Sequence, residues 1–398
     1  MLSLSLAASA HPLLETLMHP LARLSALLLG VALVAPALAQ NGPVKIAGLV
    51  ELSGTGTTSG TNFNDGVKLA VKEINAAGGI LGRKIEYTAS DTQSQPQVAK
   101  ALAIKAVDDG AYVVMGPVFS GSILVSMVET QRAHIPNFTG GEAAAITEQG
   151  DPYIFRTSFT QTTAMPKVAR YLADNLKAKS VAIIYTNNDF GKGGRDVFVK
   201  AIAPKGIKVL ADISTDPGQL DFSGAVLKAK QANADAIFVY TNEEEAARCL
   251  RELRKQGVDK PIVGETVLTS QKVIELAGDA ANGAVAHVGL TADAPIPEVK
   301  AFSQKFQNEY HYKPDHNGLK GYSAMYIVKA VTEKIGKFDQ KAFAKTMHGI
   351  HLSAKEYPGV LLDVTFDQNG DLDRESFMTK VVNGKQEVIA VLPPVGAK

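Results

Sequence analysis

With 398 residues, 45% hydrophobic and 20% charged, the chain has the make-up of a soluble globular protein and the length for two or three domains. Its net charge is +1 with acids and bases interspersed, so no basic stripe or acidic tail points to nucleic acid or a membrane surface. A single cysteine, Cys249, excludes an intramolecular disulfide.

The chain begins with a segment different in kind. Residues 24–39, LSALLLGVALVAPALA, carry no charge, follow Arg23 and end in the small-x-small triplet Ala37, Leu38, Ala39. That is the pattern of a secretory signal peptide cleaved before Gln40, so residues 1–39 are expected to be removed and the mature chain to work in the periplasm. A membrane anchor is the alternative, but the run falls short of the roughly 20 apolar residues a span needs. Met18 opens a signal of ordinary length and is the alternative start.

β-rich runs follow at 44–50 (VKIAGLV), 84–90, 111–118, 135–140 and 153–158, then at 180–186, 207–214, 236–241, 261–266 and 284–290. Between most of them lie stretches of helical period. In the first, Val67, Ala70, Val71 and Ile74 form an apolar face, with Asp65, Lys68, Lys72 and Glu73 off it. Such alternation builds parallel sheets covered by helices. These units are too many for one compact open sheet, so two sheets are expected, each with its ligand-facing loops beyond the carboxyl ends of its strands. The last third changes rhythm, with helices expected near 297–310, 318–336 and 339–348. Asn383 and Gly384 then separate two alternating apolar runs, a hairpin signal.

The chemistry search is mostly negative. There is no G-x-x-x-x-G-K-[ST] phosphate loop, no G-x-G-x-x-G after the first strand, no G-x-S-x-G and no H-E-x-x-H. The glycines at 191, 193 and 194 read as a helix-start turn. Cys249 reads as a small buried hydrophobe. No enzyme, cofactor or metal site is therefore expected.

What remains is a set of small, hydroxyl-rich loops at strand ends. Ser53 follows the first strand, Phe119, Ser120 and Gly121 the third, and Thr139, Gly140, Gly141 and Glu142 the fourth. Glycines let a ligand approach the backbone, and free amides at a helix start favour a carboxylate. Ser120 either contacts such a ligand or caps its helix. The later loops offer Phe190 as an apolar cover, Asn242 and Glu243 after 236–241, and Glu265 or Thr266 at a strand end, where an acid could meet an ammonium. Glu243, Glu244 and Glu245 together also read as a solvated helix start favoured by the dipole.

The opening VKIAGLVELSG with GVKLAVKEINAAGGILGRKIEYTASDTQSQP, then GPVFSGS, IPNFTGG, YIFRTS and NNDFGKGG, resembles the branched-chain amino acid-binding proteins of ABC transporters. This is the leucine/isoleucine/valine-binding family of type I solute-binding proteins, and the likeness runs over residues 44–391. It implies an α/β fold of two doubly wound parallel-sheet lobes joined by a three-strand hinge. The lobes would be residues 43–157 with 293–372, and 158–292 with 373–398. It places a carboxylate on Ser120, small residues beside it at Gly140 and Gly141, an aromatic wall at Phe190, and an ammonium partner at Glu265 or Thr266. Phe190 stands where amino acid binders often carry tyrosine, and Asn242 or Glu243 stands at a position that is often aromatic. The implied role is a monomeric binding protein that captures a small carboxylate ligand and delivers it to a membrane permease. An apolar, branched-chain amino acid is the first expectation. An aromatic or keto acid of benzoate or phenylpyruvate type is the alternative, and an amide- or urea-binding sensor stands third.

Overall fold

The computed structural model describes residues 42–395. The expected signal peptide lies outside the described residues.

The first sheet contains β1 (Val44–Val50), β2 (Ile85–Asp91), β3 (Val113–Met115), β4 (Asn137–Thr139) and β5 (Ile154–Arg156). All neighbours are parallel, in the order β2-β1-β3-β4-β5. Every residue of β3, β4 and β5 is buried, as expected of strands covered on both faces. The connecting helices are α1 (Thr57–Ala76), α2 (Pro96–Asp108) and α3 (Ser120–Arg132).

A second parallel set holds β6 (Ser180–Thr186), β7 (Lys208–Thr215), β8 (Ala236–Tyr240), β9 (Ile262–Glu265) and β10 (Val285–Val288). Its helices are α4 (Gln161–Arg170), α5 (Asp189–Ile202), α6 (Ser223–Gln231), α7 (Glu243–Lys255) and α8 (Gln271–Ala277). The glycines at 191, 193 and 194 lie inside α5 rather than in a turn before it. Asn188 caps that helix, accepting from the Gly191 amide at 2.8 Å.

Three late helices follow, α9 (Pro297–Tyr310), α10 (His316–Ile335) and α11 (Gln340–Met347). Their apolar faces join the core of the first sheet, where Phe302, Leu319, Met325 and Phe343 pack with Ile46, Phe63, Val67 and Phe138. Short strands β11 (His351–Leu352), β12 (Val364–Phe366) and β13 (Leu372–Asp373) make a small antiparallel sheet that sequence periodicity did not reveal. The chain ends with β14 (Ser376–Val382) and β15 (Lys385–Leu392), a hairpin that extends the second sheet through an antiparallel β10–β14 pair. Asn383 and Gly384 both have positive φ, 50° and 72°, as a two-residue primed turn requires.

In both sheets the strand order reverses beside the first strand of its unit, between β1 and β3 and between β6 and β8. An open α/β sheet leaves a crevice outside the carboxyl ends of its strands at that point. The two crevices face each other. The crossing of α10 over α1 decides what enters the first of them. A methyl group on Gly66 would come within 2.1 Å of the Gly318 carbonyl oxygen, and one on Gly321 within 2.1 Å of that of Phe63. The helices therefore touch backbone to backbone, which carries the first turns of α10 to the cleft. Among the described residues, no helix is long and apolar enough to cross a membrane.

Candidate functional site

The loops after the strands of both sheets enclose a cavity of about 260 Å³. The first lobe contributes the loop after β3, with Val118, Phe119, Ser120, Gly121 and Ser122, and the loop after β4, with Gly140, Gly141 and Glu142. The second lobe contributes Asn188, Asp189 and Phe190 after β6, Asn242 and Glu243 after β8, and Val267 after β9. The first turns of α10 add His316, Asn317 and Lys320.

Each wall is held in place from behind. Glu51, fully buried at the end of β1, accepts from the amides of Val118 and Phe119 at 3.1 and 3.0 Å. Burial pushes its carboxyl up to about 7. Buried Arg156 donates to the carbonyls of Gly141 and Ala143 at 3.3 and 3.1 Å, and pairs with Asp371 at 2.5 Å. On the other side, the Phe190 ring stacks on Tyr240 with centroids 4.2 Å apart. Tyr240 in turn lies near Phe238, which stacks on Phe198.

The N-terminus of α3 opens into the cavity. Its N-cap is Phe119, and no side chain caps the helix, so the first amides are left for another acceptor. Ser120 does not cap it either. Its hydroxyl accepts from the Ala143 amide at 3.3 Å and ties the two first-lobe loops together. Ser122 is the hydroxyl without a partner, and it is 1% exposed. A methyl group on Gly121 would approach the Asp189 carboxylate to 2.8 Å, so the lobes come close at this point.

Two further buried groups on the wall lack partners. Asn242 accepts from the Glu245 amide as the cap of α7, which leaves its Nδ2 unpaired. Both amide atoms of Asn317 are unpaired. Buried polar atoms without partners are rare in folded proteins, and three such side chains around one cavity mark a place for a polar ligand.

Several sequence expectations need correction. Glu265 and Thr266 do not line the cavity. Glu265 accepts from the Thr266 hydroxyl at 2.5 Å and meets His287 Nδ1 at 3.2 Å, so its carboxylate is engaged behind the wall. Ser53 is also outside, donating to Asp91 at 2.6 Å. Thr139 is buried within β4, although its hydroxyl has no partner. Glu243 and Glu245 are not a solvated helix start but are buried, because the first turn of α7 points into the cleft. Glu243 accepts from Ser59 of the first lobe at 2.8 Å, and Glu244 accepts from Thr58 at 2.7 Å. Burial pushes the Glu243 carboxyl up to about 8, with Asp315 and Glu244 adding to the effect.

Sequence reading missed Ser122, Lys320, His316 and Asn317. The three on α10 stand far along the chain from the first-sheet loops, with Lys320 178 positions from Glu142, and no local pattern links them. Lys320 is 3% exposed and donates to Glu142 and to the Gly140 carbonyl, each at 3.2 Å. Glu142 also accepts from Tyr240 at 3.3 Å across the cleft. Burial and the neighbouring Glu265 push the Glu142 carboxyl up to about 8. His316 is held well below its ordinary value, by burial first and by Lys320 second, so it faces the cavity uncharged.

Two α/β sheets that turn their strand ends toward a shared cavity have the geometry of a ligand-binding cleft. The chain belongs to the periplasmic binding protein family, whose model matches residues 43–386. It is 28% identical to a Leu/Ile/Val-binding protein of Rhizobium johnstonii over 349 residues, which cover 87% of this chain and 94% of that one. Among solved structures, it is similar to the branched-chain amino acid transporter substrate-binding protein LivJ of Streptococcus pneumoniae in complex with isoleucine. That likeness has a TM-score of 0.80 at 25% identity, covering 88% of this chain and 100% of the other. A solute-binding protein of an R. palustris ABC transporter, in complex with benzoate, shares the fold with a TM-score of 0.82 at 21% identity, covering 90% and 98%.

Proposed function

We propose that this chain is a periplasmic solute-binding protein, exported through a cleaved signal peptide, that captures a small carboxylate and delivers it to the permease of an ABC importer. The observation that carries the reading is the uncapped N-terminus of α3, which faces the cavity beside the unpaired Ser122 hydroxyl. Free amides and the positive end of the helix dipole favour an anion, and a hydroxyl adds a directed donor. The apolar body of the ligand would lie against Val118, Phe119, Phe190 and Val267. An apolar cavity of about 150 Å³ already takes up benzene, so the space here suits a ligand of one ring or one branched chain.

The lobes would be residues 43–157 with 293–372, and 158–292 with 373–398, a division supported by which strands share a sheet. Binding would start on the first lobe, and engagement of Asn242 and Phe190 would favour the closed form. A ligand drives such closure only through contacts absent from the open form. Relatives named for leucine, isoleucine and valine favour an amino acid, whereas a neighbour holding benzoate favours an aromatic acid. Calorimetry of the purified chain against aliphatic, aromatic, amino and keto acids tests the proposal. Micromolar binding of at least one class is expected, and no binding across the panel would overturn it.

A further inference from the structure

The ligand end nearest β4 and β9 meets an acceptor cluster that the chain fills itself. Gly140 O, Glu142 and Glu265 gather there, beside the α3 N-terminus through the Ala143–Ser120 hydrogen bond. One carbonyl and two carboxylates next to a carboxylate-binding helix end are what the ammonium of a bound α-amino acid would need. Most of that cluster is already taken, including every acceptor of it on the cavity wall. Lys320 Nζ takes Gly140 O and Glu142 Oε1, and the Tyr240 hydroxyl takes Glu142 Oε2. Glu265 Oε1 is taken by Thr266 and His287, and its Oε2 is left unpaired behind the wall. Two of the three Lys320 N–H donors are thus assigned within the protein, while its side chain lines the cavity.

We infer that Lys320 is the specificity-determining residue of this cleft, standing in for a ligand ammonium, so that the site takes carboxylates without an α-amino group, such as aromatic or 2-oxo acids. The inference rests on the carboxylate reading above. Lys320 then acts in two ways. Its third donor reaches toward the ligand's anionic end, and its charge repels a second ammonium. Glu243, the other buried acid on the wall, does not reverse this preference. Its Oε1 is taken by Ser59, and Asp315 and Glu244 favour its uncharged form.

The test is calorimetry on matched pairs that differ at one position: leucine against 4-methyl-2-oxopentanoate, and phenylalanine against phenylpyruvate, with benzoate alongside. The wild-type chain is expected to bind each oxo acid at least about 100-fold tighter than its amino acid, the scale set by like charges a few ångströms apart in a poorly screened site. Lys320→Met frees Gly140 O and Glu142, so the preference should shrink at least about tenfold toward the amino acid. If that variant fails to fold because Glu142 is left buried without its cation, Lys320→Met with Glu142→Gln removes both charges and should shrink the ratio in the same direction. An amino acid that binds wild type as tightly as its oxo partner, or a ratio unchanged in the folded variant, overturns the inference while leaving the carboxylate reading intact. A panel in which no carboxylate binds overturns both.

Discussion

The Ser59 hydroxyl donates to the Glu243 carboxylate at 2.8 Å across the cleft, with both side chains buried. One residue stands in the first turn of α1 and the other in the first turn of α7, so the bond forms only when the lobes are together. Burial first, and Asp315 of α10's N-cap second, push the Glu243 carboxyl from 4.5 to about 8. Opening the cleft returns it to water and toward its ordinary value. Closure is therefore expected to take up a proton near neutral pH. Ligand affinity is expected to fall as the pH rises from about 5 to about 8 and to level off above that, with proton uptake visible in calorimetry across buffers of different ionisation enthalpy. Glu243→Gln should flatten that dependence. A wild-type affinity that does not change with pH would contradict the coupling.

Ser122→Ala should weaken carboxylate binding about 10- to 100-fold, the loss of one hydrogen bond to a charged group. Thermal unfolding of the free protein should hardly move, since the hydroxyl has no protein partner. Ser120→Ala removes a real protein contact, the Ala143 amide, and should cost stability of about 1 kcal/mol as well as affinity. Titration and melting of both variants separate these outcomes. Equal affinity in Ser122→Ala and wild type would move the carboxylate elsewhere.

Stability itself should depend on pH in a defined direction. Glu51, Glu142 and Glu243 have folded-state values raised to about 7, 8 and 8 by burial. A raised carboxyl contributes stability that is fully present below its unfolded value and is lost as the pH rises through the folded one. His287 is lowered to about 3 by burial, and its contribution is lost as the pH falls below its ordinary 6.5. The two effects oppose each other below 6.5, and above it the three carboxyls outweigh Lys167, which burial lowers to about 8 and which opposes them only near the top of the interval. With the ligand bound and the cleft held closed, the melting temperature is expected to fall between about pH 6.5 and about pH 8. A rise over that interval would contradict the assignment.

Gly321→Ala should destabilise the first lobe. A methyl group there would sit 2.1 Å from the Phe63 carbonyl oxygen, which is backbone and cannot swing aside. Overpacking of this kind costs about 1–3 kcal/mol. Because Lys320 is the adjacent residue, ligand affinity should fall with it. Denaturant unfolding and calorimetry on the same preparation measure both, and an unchanged midpoint would mean that α1 and α10 separate easily.

Much of this protein is legible along the chain, because strand, helix and turn signals act over a few residues. Alternation of β-rich runs with helical periods gives two parallel sheets, and Asn383 with Gly384 gives the final hairpin at its observed place. The loops carrying Phe119 to Gly121 and Gly140 to Glu142 are legible as strand-end loops for the same reason, and they line the cavity. Sequence reading fails where a side chain's direction depends on a neighbour from elsewhere in the chain. Glu265 is correctly placed at the end of β9, yet Thr266 and His287 turn its carboxylate into the protein.

The amino-acid sequence by itself determined the family, the strand-and-helix alternation and the strand-end loops that line the cavity, because each is written in residues close together. Only the tertiary structure decided which groups those loops face. Lys320 and Glu142 are 178 positions apart, and they meet because glycines let α10 press against α1. Charge pairing in a buried cleft depends on distances through space, which the spacing of residues along a chain does not encode.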